Sequence, residues 1–322
     1  MTTWFVFNGD ADGLCAAHQL RLAGHAPDQV ITGVKRDIGL LGRCAAQPGD
    51  HVWVADISLD ANRAALAQLL DGGVALTWFD HHYAGVIPSH AALSAHIDTS
   101  GLVCSSLLVD QHLGGPYRAW AVSAAFGDNL AAPARDLATR TDLTSAAVEQ
   151  LAELGALLNY NAYGESVADL HVDPALLFGR MAPYENPLDF IADEPFVVDL
   201  RVSMQRDLAL ASAATFLHAG ADCAALELPD APWARRVHGV FANELARAHP
   251  GRAHAILVES SAGYAVSVRS PMLRSDGADA LCRQFATGGG RAGAAGINCL
   301  PRHHLEAFLL AFERAYRQEV AS

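Results

Sequence analysis

The N-terminal half of the chain alternates short apolar runs with longer amphipathic stretches. Four apolar runs predict β-strands, namely WFVF at 4–7, QVITGV at 29–34, HVWVAD at 51–56 and VALTWFD at 74–80. Between and after them, apolar residues recur at helical spacing, and two of these stretches end at glycine, a common helix terminator. The predicted helices span 14–22, 60–70, 103–112 and 118–126. Strands joined by helices of this length predict an α/β fold with a parallel sheet covered on both faces.

The pattern becomes less regular in the middle of the chain. A helix is predicted at 144–158, but residues 159–194 follow no clear period and are interpreted as irregular. A further helix is predicted at 199–219 and would connect the two halves of the chain. We therefore expect a parallel-sheet domain at 1–190 and a linker with a connecting helix at 191–222.

The C-terminal part, residues 223–322, is expected to form a smaller α/β domain. AHAILVES at 253–260 and GYAVSVRS at 263–270 are separated by a short turn and predict a β-hairpin. A glycine-rich segment at 288–296 follows, and an amphipathic helix is predicted at 303–318.

Charge and cysteine usage narrow the class of protein. The 322 residues carry a formal charge of −13, and Lys35 is the single lysine among 22 basic residues. An acidic surface repels long nucleic acid, so small phosphorylated substrates carried with metal ions are favoured. No signal peptide is visible, no apolar run approaches the roughly 18 residues of a membrane span, and the six cysteines include no CxxC pair. These features predict a cytoplasmic protein with no membrane partner.

Acidic residues follow three of the predicted strands. The ligands of an open parallel sheet bind beyond the carboxyl ends of its strands, so these side chains are expected to meet at one edge. Two histidines and a further aspartate complete the set, which comprises Asp10, Asp12, Asp56, Asp80, His81, His82 and Asp128. Aspartate and histidine together suit two divalent cations, Mn²⁺ or Mg²⁺, which would neutralise the carboxylates and activate water against phosphorus.

Six motifs in this chain resemble those of the DHH phosphoesterases, in the order that this family has them. NGDADG, VAD, DHH and GDN, at 8–13, 54–56, 80–82 and 127–129, resemble its four metal-site motifs. VSVRS at 266–270 and GGRAGAAG at 289–296 resemble the SxRS and GGHxxAAG motifs of the DHH-associated C-terminal domain. The resemblance extends from Phe5 to Ile297. Within the family, the chain is similar to nanoRNases and 3′-phosphoadenosine 5′-phosphate phosphatases and resembles RecJ-type exonucleases.

The resemblance implies a metal centre in the N-terminal domain. It implies as ligands Asp10, Asp12, Asp56, His81 and Asp128. Asp56 would bridge two ions, with Mn²⁺ expected first and Mg²⁺ or Co²⁺ as alternatives. His82 would face the scissile phosphate, and Asp80 would orient a histidine.

The C-terminal domain is implied to hold the substrate, with the active site in the cleft between the domains. The substrate loop would contain Gly289, Gly290 and Arg291, with Ser267, Arg269 and Ser270 nearby. The implied partner is a small nucleotide or a short oligonucleotide, and a homodimer is compatible with the pattern.

Three positions depart from the family pattern. Val6 stands where many members carry a histidine, and Asn8 stands where RecJ-type exonucleases usually carry an aspartate. We therefore expect one metal site to be weaker or completed by water. Arg291 replaces the usual histidine and retains phosphate binding through a permanent charge, which leaves the substrate preference open.

The sequence leaves the substrate open among short oligonucleotides, dinucleotides, 3′-phosphoadenosine 5′-phosphate and single-stranded DNA, with a preference for the small ones. A phosphoanhydride hydrolase acting on pyrophosphate or polyphosphate shares the same metal motifs. A non-catalytic, nucleotide-binding regulatory protein is the alternative outside the enzymes.

Overall fold

The computed structural model describes residues 1–317, which divide into two compact units. The first unit spans 1–201 and the second begins at Val202, so the division falls within the predicted linker. Among the helices of residues 1–317, none is long and apolar enough to cross a membrane.

The first unit contains a five-stranded, all-parallel sheet in the order β2-β1-β3-β4-β5. Its strands are β1 Thr3–Phe7, β2 Gln29–Ile31, β3 His51–Ala55, β4 Ala75–Asp80 and β5 Leu93–Ile97. The chain runs from β1 outward to β2 and then returns to the other side at β3. The strand order therefore reverses beside β1, where ligands of such sheets usually bind. The predicted parallel α/β fold is confirmed.

Nine helices begin in the first unit of the described chain. They are α1 Ala11–Leu22, α2 Arg63–Asp71, α3 Ser105–Leu113, α4 Arg118–Gly127, α5 Ala131–Ala138, α6 Ser145–Ala162, α7 Pro174–Met181, α8 Pro187–Asp193 and α9 Pro195–Ala211. The interpretation of 159–194 as irregular was wrong, because α7 and α8 lie there. Each begins at a proline directly after a capping side chain, Asp173 or Asn186. Both are short enough to hide their helical period.

The core beneath one face of the first sheet includes Val6. This residue is fully buried in an apolar cluster with residues such as Val52, Val54 and Trp78. A histidine at this position would have to bring a polar ring into that cluster. The departure at Val6 therefore coincides with an apolar core position.

The second unit contains a six-stranded mixed sheet in the order β10-β11-β9-β8-β7-β6. Its strands are β6 Thr215–Ala219, β7 Cys223–Leu228, β8 Ala253–Ser260, β9 Gly263–Arg269, β10 Gly288–Arg291 and β11 Ala294–Leu300. The predicted hairpin is confirmed as the antiparallel pair β8–β9. The helix predicted at 199–219 was too long, because α9 ends at Ala211 and Thr215–Ala219 pairs with β7.

Helices cover the second sheet on both faces. They are α10 Pro232–Ala248, α11 Ala278–Cys282 and α12 Leu305–Tyr316. Phe308, Phe312 and Tyr316 of α12 join the core on one face, whereas α10 packs on the other. The predicted C-terminal helix at 303–318 is shorter in the structure, and its last residue lies outside the described range.

The buried residue His254 is expected to make the second unit less stable at acidic pH. It lies on β8 and is 1% exposed, and burial, followed by the charges of Arg252 and His249, lowers its pKa to about 4 from 6.5. The unfolded chain accepts this proton as the pH falls below 6.5, whereas the folded chain resists it until about pH 4. Stability is therefore lost on acidification across that window.

We expect His254→Leu to reduce this loss. Between pH 7.5 and pH 5.0 the variant should lose about 1–2 kcal/mol less unfolding free energy than the parent protein. Calorimetry at both pH values tests this, with the exposed His303→Leu as the control. Equal acid sensitivity of the parent and His254→Leu would contradict it.

Candidate active site

The first motif, residues 8–13, supplies the side chain that caps the N-terminus of α1. Asp10 is the N-cap of α1, and its Oδ1 accepts hydrogen bonds from the backbone N–H groups of Asp12 (3.0 Å) and Gly13 (3.1 Å). Gly13 is required because a Cβ there would lie 2.1 Å from the Asn8 carbonyl oxygen. The motif therefore places both carboxylates, each buried, at the start of α1 beyond the end of β1.

Asp12 is held by a second helix. Its two carboxylate oxygens accept 2.7 Å hydrogen bonds from the backbone N–H groups of Ser105 and Ser106 at the start of α3. Unpaired N–H groups at a helix N-terminus attract a negative charge. Asp12 is thus fixed as a buried carboxylate.

Asp56 follows β3 in an unusual backbone conformation. Its φ angle is +57°, in the left-handed region that residues other than glycine, asparagine and aspartate rarely adopt. Such strain collects at functional sites. The conformation turns the chain at the carboxyl end of the sheet, where Asp56 is 3% exposed.

The DHH motif follows β4 and divides its histidines between two environments. Asp80 is fully buried, and its Oδ1 lies 2.7 Å from Nδ1 of His82, whose side chain remains 46% exposed. His81 is nearly buried and lies toward the carboxylates instead. Asp80 therefore orients His82 and leaves the far nitrogen of the imidazole available.

Three carboxylates converge on the His81 ring. Its Nε2 atom lies 3.5 Å from Asp56 Oδ1, 3.5 Å from Asp128 Oδ2 and 4.0 Å from Asp12 Oδ2. Asp128 reaches this position from the C-terminal end of α4. The cluster formed by these four, His81, Asp12, Asp56 and Asp128, is called the four-donor set below. His82 lies beside it, because Asp56, His81 and His82 each offer a donor atom within 4.8 Å of the others.

The carboxylates of this region carry a large electrostatic cost. Burial, together with the charges of Asp10 and Asp12, raises the pKa of Asp56 well above 3.8. Burial also raises the pKa of Asp128. Burial would raise the pKa of Asp10 as well, but Lys35 and nearby hydrogen bonds lower it to about 2.

The residues present fit a divalent cation. Asp128 Oδ2 is a buried oxygen with no hydrogen-bond partner among the described residues, and it lies within the four-donor set. Three carboxylates and one imidazole are ligands that Mn²⁺ and Mg²⁺ accept. A cation among them would offset the burial and the charge repulsion that together raise the pKa of Asp56.

Four of the six C-terminal candidates share one face of the second sheet. Strand pairing aligns Gly289 with Gly296 and Gly296 with Ser267, and it aligns Arg291 with Ala294 and Ala294 with Arg269. Directly paired residues lie on the same face, so Ser267, Arg269, Gly289 and Arg291 do too. The two arginines are two strands apart, about 10 Å between Cα atoms. This surface of four residues is called the arginine face.

The remaining two C-terminal candidates support the strand pair. A Cβ at Gly290, whose φ is +137°, would lie 2.5 Å from the Ala295 Cα. Ser270 is 3% exposed, and its hydroxyl contacts the carbonyl oxygens of Asp276 (2.6 Å) and Ala292 (2.9 Å) and the Tyr316 hydroxyl (3.0 Å). These contacts give Ser270 a role inside the unit.

Motif spacing missed two kinds of residue at this centre. Ser105 and Ser106 act through backbone N–H groups, which leave no signature in residue type. Lys35 forms an ion pair with Asp10, although the two are 25 residues apart in sequence. The sequence feature that could have identified Lys35 is that it is the single lysine of an acidic chain.

Comparisons with known proteins identify the fold. No protein-family model and no curated protein sequence matches this chain. A crystal structure of the exonuclease RecJ bound to manganese does match, with a TM-score of 0.62 and 19% identity over 98% of this chain and 90% of that one. RecJ of Thermus thermophilus in complex with Mn²⁺ matches at a TM-score of 0.65 and 21% identity, over 97% of this chain and 51% of that one.

The pGpG-specific phosphodiesterase PggH of Vibrio cholerae is similar over its whole length. It matches at a TM-score of 0.56 and 13% identity, over 98% of this chain and 99% of PggH. RecJ and PggH are DHH-family proteins, and at these identities the likeness shows a shared fold. The prediction of a DHH-like fold is thus confirmed.

Proposed function

We propose that this protein is a DHH-type phosphoesterase that uses a divalent metal ion to hydrolyse phosphoester bonds of small nucleotides. The observation that carries the proposal is the four-donor set beside the His82–Asp80 pair. In this set, carboxylate oxygens of three aspartates lie 3.5–4.0 Å from His81 Nε2. The shared fold of a manganese-bound exonuclease and a pGpG phosphodiesterase supports it.

The residues of the first unit have distinct parts in this reaction. Asp12, Asp56, His81 and Asp128 would hold the ion, with Mn²⁺ as the first choice and Mg²⁺ or Co²⁺ as alternatives. When bound, a divalent ion supplies Lewis acidity toward phosphoryl oxygens and lowers the pKa of water. His82, oriented through Nδ1 by Asp80, would present Nε2 to the phosphate and hold a proton there.

The arginine face would bind the rest of the substrate. Guanidinium groups bind phosphate through two hydrogen bonds at once, and two arginines whose Cα atoms lie about 10 Å apart suit a substrate with a second phosphate. Arg269 already donates to Asn243 Oδ1 (2.6 Å) and to the Val268 carbonyl oxygen (3.0 Å), so Arg291 would be the main phosphate contact. The space over Gly289 is open, since an added Cβ there would have no neighbour within 4 Å. Dinucleotides, short oligonucleotides and 3′-phosphoadenosine 5′-phosphate are the proposed substrates.

A substrate panel with Mn²⁺ tests the proposal. It contains pGpG, other dinucleotides, 3′-phosphoadenosine 5′-phosphate, a single-stranded DNA oligomer, pyrophosphate and bis-p-nitrophenyl phosphate. We expect release of nucleotides from the small substrates. Turnover of pyrophosphate alone would indicate a phosphoanhydride hydrolase, and metal binding without any turnover would indicate a regulatory protein.

We also propose a cytoplasmic location. All six cysteines are free thiols, and four of them are buried. Unpaired thiols of this kind are typical of proteins in reducing compartments.

Arg291→Ala should weaken binding of nucleotides with a second phosphate. The lost charge-assisted contacts are worth about 1.5–3 kcal/mol, so kcat/KM should fall roughly ten- to hundredfold. Bis-p-nitrophenyl phosphate, which lacks that phosphate, should be much less affected, and Mn²⁺ affinity should not change. The control is Arg314→Ala, an exposed arginine of α12, which packs on the opposite face. Equal losses on both substrates would contradict the role of Arg291.

Gly289→Val should obstruct the arginine face without unfolding the unit. Because an added Cβ meets no atom within 4 Å, and valine is favoured in strands, the melting temperature should be retained. KM for dinucleotides should rise about tenfold or more, as for the loss of one charged contact. Steady-state kinetics and thermal unfolding test this. An unchanged KM would show that substrate does not lie over Gly289.

A further inference from the structure

Lys35 lies within the carboxylate cluster, although none of the sequence motifs includes it. Its Nζ atom forms an ion pair with Asp10 Oδ2 and lies 3.9 Å from Asp128 Oδ1. We propose that the Lys35 ammonium takes the place of a second metal ion, so that the centre binds one divalent cation beside a built-in organic cation. This inference rests on the proposed function and departs from the two ions that the sequence motifs imply.

Asp10 is already fully engaged by the protein. Its Oδ1 accepts the N–H groups of Asp12 and Gly13, and its Oδ2 faces the Lys35 ammonium. Asp12 also accepts backbone N–H groups, but no lysine or arginine among residues 1–317 forms an ion pair with it, and it lies near His81 instead. The two aspartates of the first motif therefore have different functions, and only Asp12 is left to ligate an ion.

The backbone of Lys35 is anchored from both sides. Its N–H donates to the carbonyl oxygen of Ala162 at 2.9 Å, and its carbonyl oxygen accepts from Asn8 Nδ2 at 3.0 Å. Asn8 Oδ1 in turn accepts the N–H of Asp10 at 3.2 Å. An ionised aspartate at position 8 could not donate to Lys35, so the asparagine links the Lys35 loop directly to the first motif.

Val6 offers nothing to a second ion. It is fully buried in the apolar core beneath the sheet. The subsite that would contain Asp10 thus has a valine where a histidine ligand often stands, and its carboxylate is paired with an ammonium. A dication placed there would be repelled by the positive charge of Lys35.

The four-donor set suffices for one ion. Three carboxylates and an imidazole converge from the ends of β3, β4 and α4 and from the start of α1. Mn²⁺ and Mg²⁺ complete such a set with water and substrate oxygens.

The Lys35 side chain is 28% exposed, so solvent still reaches part of it.

Metal stoichiometry tests the inference without relying on turnover. Titration calorimetry with Mn²⁺ on the metal-free parent protein should give one ion per chain. Lys35→Met removes the charge at similar length and frees Asp10, so we expect two ions per chain, the second one weaker. Lys35→Met combined with Asp10→Asn should return the count to one, and Lys35→Arg should keep it at one.

Two further measurements separate the inference from simpler explanations. Arg36→Met removes the neighbouring positive charge, which lies outside the cluster, and should leave one ion per chain. At one equivalent of Mn²⁺, Lys35→Met should hydrolyse the best substrate of the panel roughly a hundredfold more slowly, as when one fixed donor to a developing charge is lost.

The unique lysine also provides a direct spectroscopic readout. Protein labelled with [ε-¹⁵N]lysine has one side-chain ammonium signal, which should shift in Asp10→Asn and should persist when the parent protein is saturated with Mg²⁺. Two Mn²⁺ ions per parent chain, or loss of the paired ammonium signal on saturation with Mg²⁺, would overturn the inference and leave the proposed phosphoesterase function intact. A parent protein that binds no Mn²⁺ and hydrolyses no panel substrate would overturn both.

Discussion

Asp56→Asn should lower metal-dependent phosphodiester hydrolysis by about 10³-fold or more. Asp56 contributes an oxygen 3.5 Å from His81 Nε2 within the four-donor set. Asparagine keeps the shape of this side chain and tolerates the positive φ of +57°, whereas alanine would add backbone strain to the loss of a ligand. The amide removes the charge that an ion requires, so the loss should appear in Mn²⁺ affinity as well as in kcat/KM.

The same substitution should stabilise the metal-free protein. The folded-state pKa of Asp56 lies above its ordinary value, because of burial and the charges of Asp10 and Asp12. The metal-free protein therefore loses stability as the pH rises through that raised pKa, and asparagine abolishes this loss. Thermal unfolding at pH 8 should show a higher melting temperature for Asp56→Asn without metal, and a smaller gain on adding Mn²⁺.

Asp71→Ala is the matched control, because this exposed aspartate ends α2 just before the start of β4, away from the carboxyl ends of the strands. It should change neither hydrolysis nor Mn²⁺ binding. Near-normal turnover by Asp56→Asn would remove Asp56 from the metal centre and with it the main support for the proposed function.

His82→Ala should lower kcat by about 10²–10⁴-fold, the range found for the loss of a general acid or base. His82 is held through Nδ1 by Asp80 at 2.7 Å and does not belong to the four-donor set. Mn²⁺ affinity should therefore change little. Single-turnover kinetics at saturating substrate, together with titration calorimetry, separate the chemical step from metal binding.

The exposed His90→Ala serves as the control for loss of an imidazole from the same unit. Asp80→Asn should give a smaller loss than His82→Ala, because it leaves the ring in place and weakens its orientation. If His82→Ala instead abolished Mn²⁺ binding, His82 would be a metal ligand and not the group that faces the phosphate.

Local patterns were sufficient for the elements that surround the centre. The four predicted strands of the first domain all occur, because an apolar run in a buried parallel strand is a signal carried by consecutive residues.

Two strands were missed. β5 was missed because Leu93–Ile97 includes Ser94 and His96 and lies at the sheet edge, where it is only partly buried. The glycine-rich segment was also left without a strand, although Gly288–Arg291 pairs with β11. Glycine has weak strand propensity, so pairing with a neighbour decides this element.

The order of the motifs along the chain determined which side chains are candidates for the centre. Asp10, Asp56 and Asp80 each follow or end a strand of one parallel sheet, and parallel strands end at a common edge. Their approach to one another therefore follows from strand prediction alone. The sequence by itself determined the fold class and the ligand candidates, because both depend on residue type and local spacing.

Only the tertiary structure decided how those candidates divide their work. Asp10 and Asp12 are two residues apart and chemically identical, yet one faces Lys35 and the other lies near His81. That difference arises from the Asn8 hydrogen bond to the Lys35 loop and from the N–H groups at the start of α3. Likewise, strand register alone brings Arg269 and Arg291 onto one face. Contacts between residues distant in sequence depend on how the whole chain packs, and residue spacing carries no record of them.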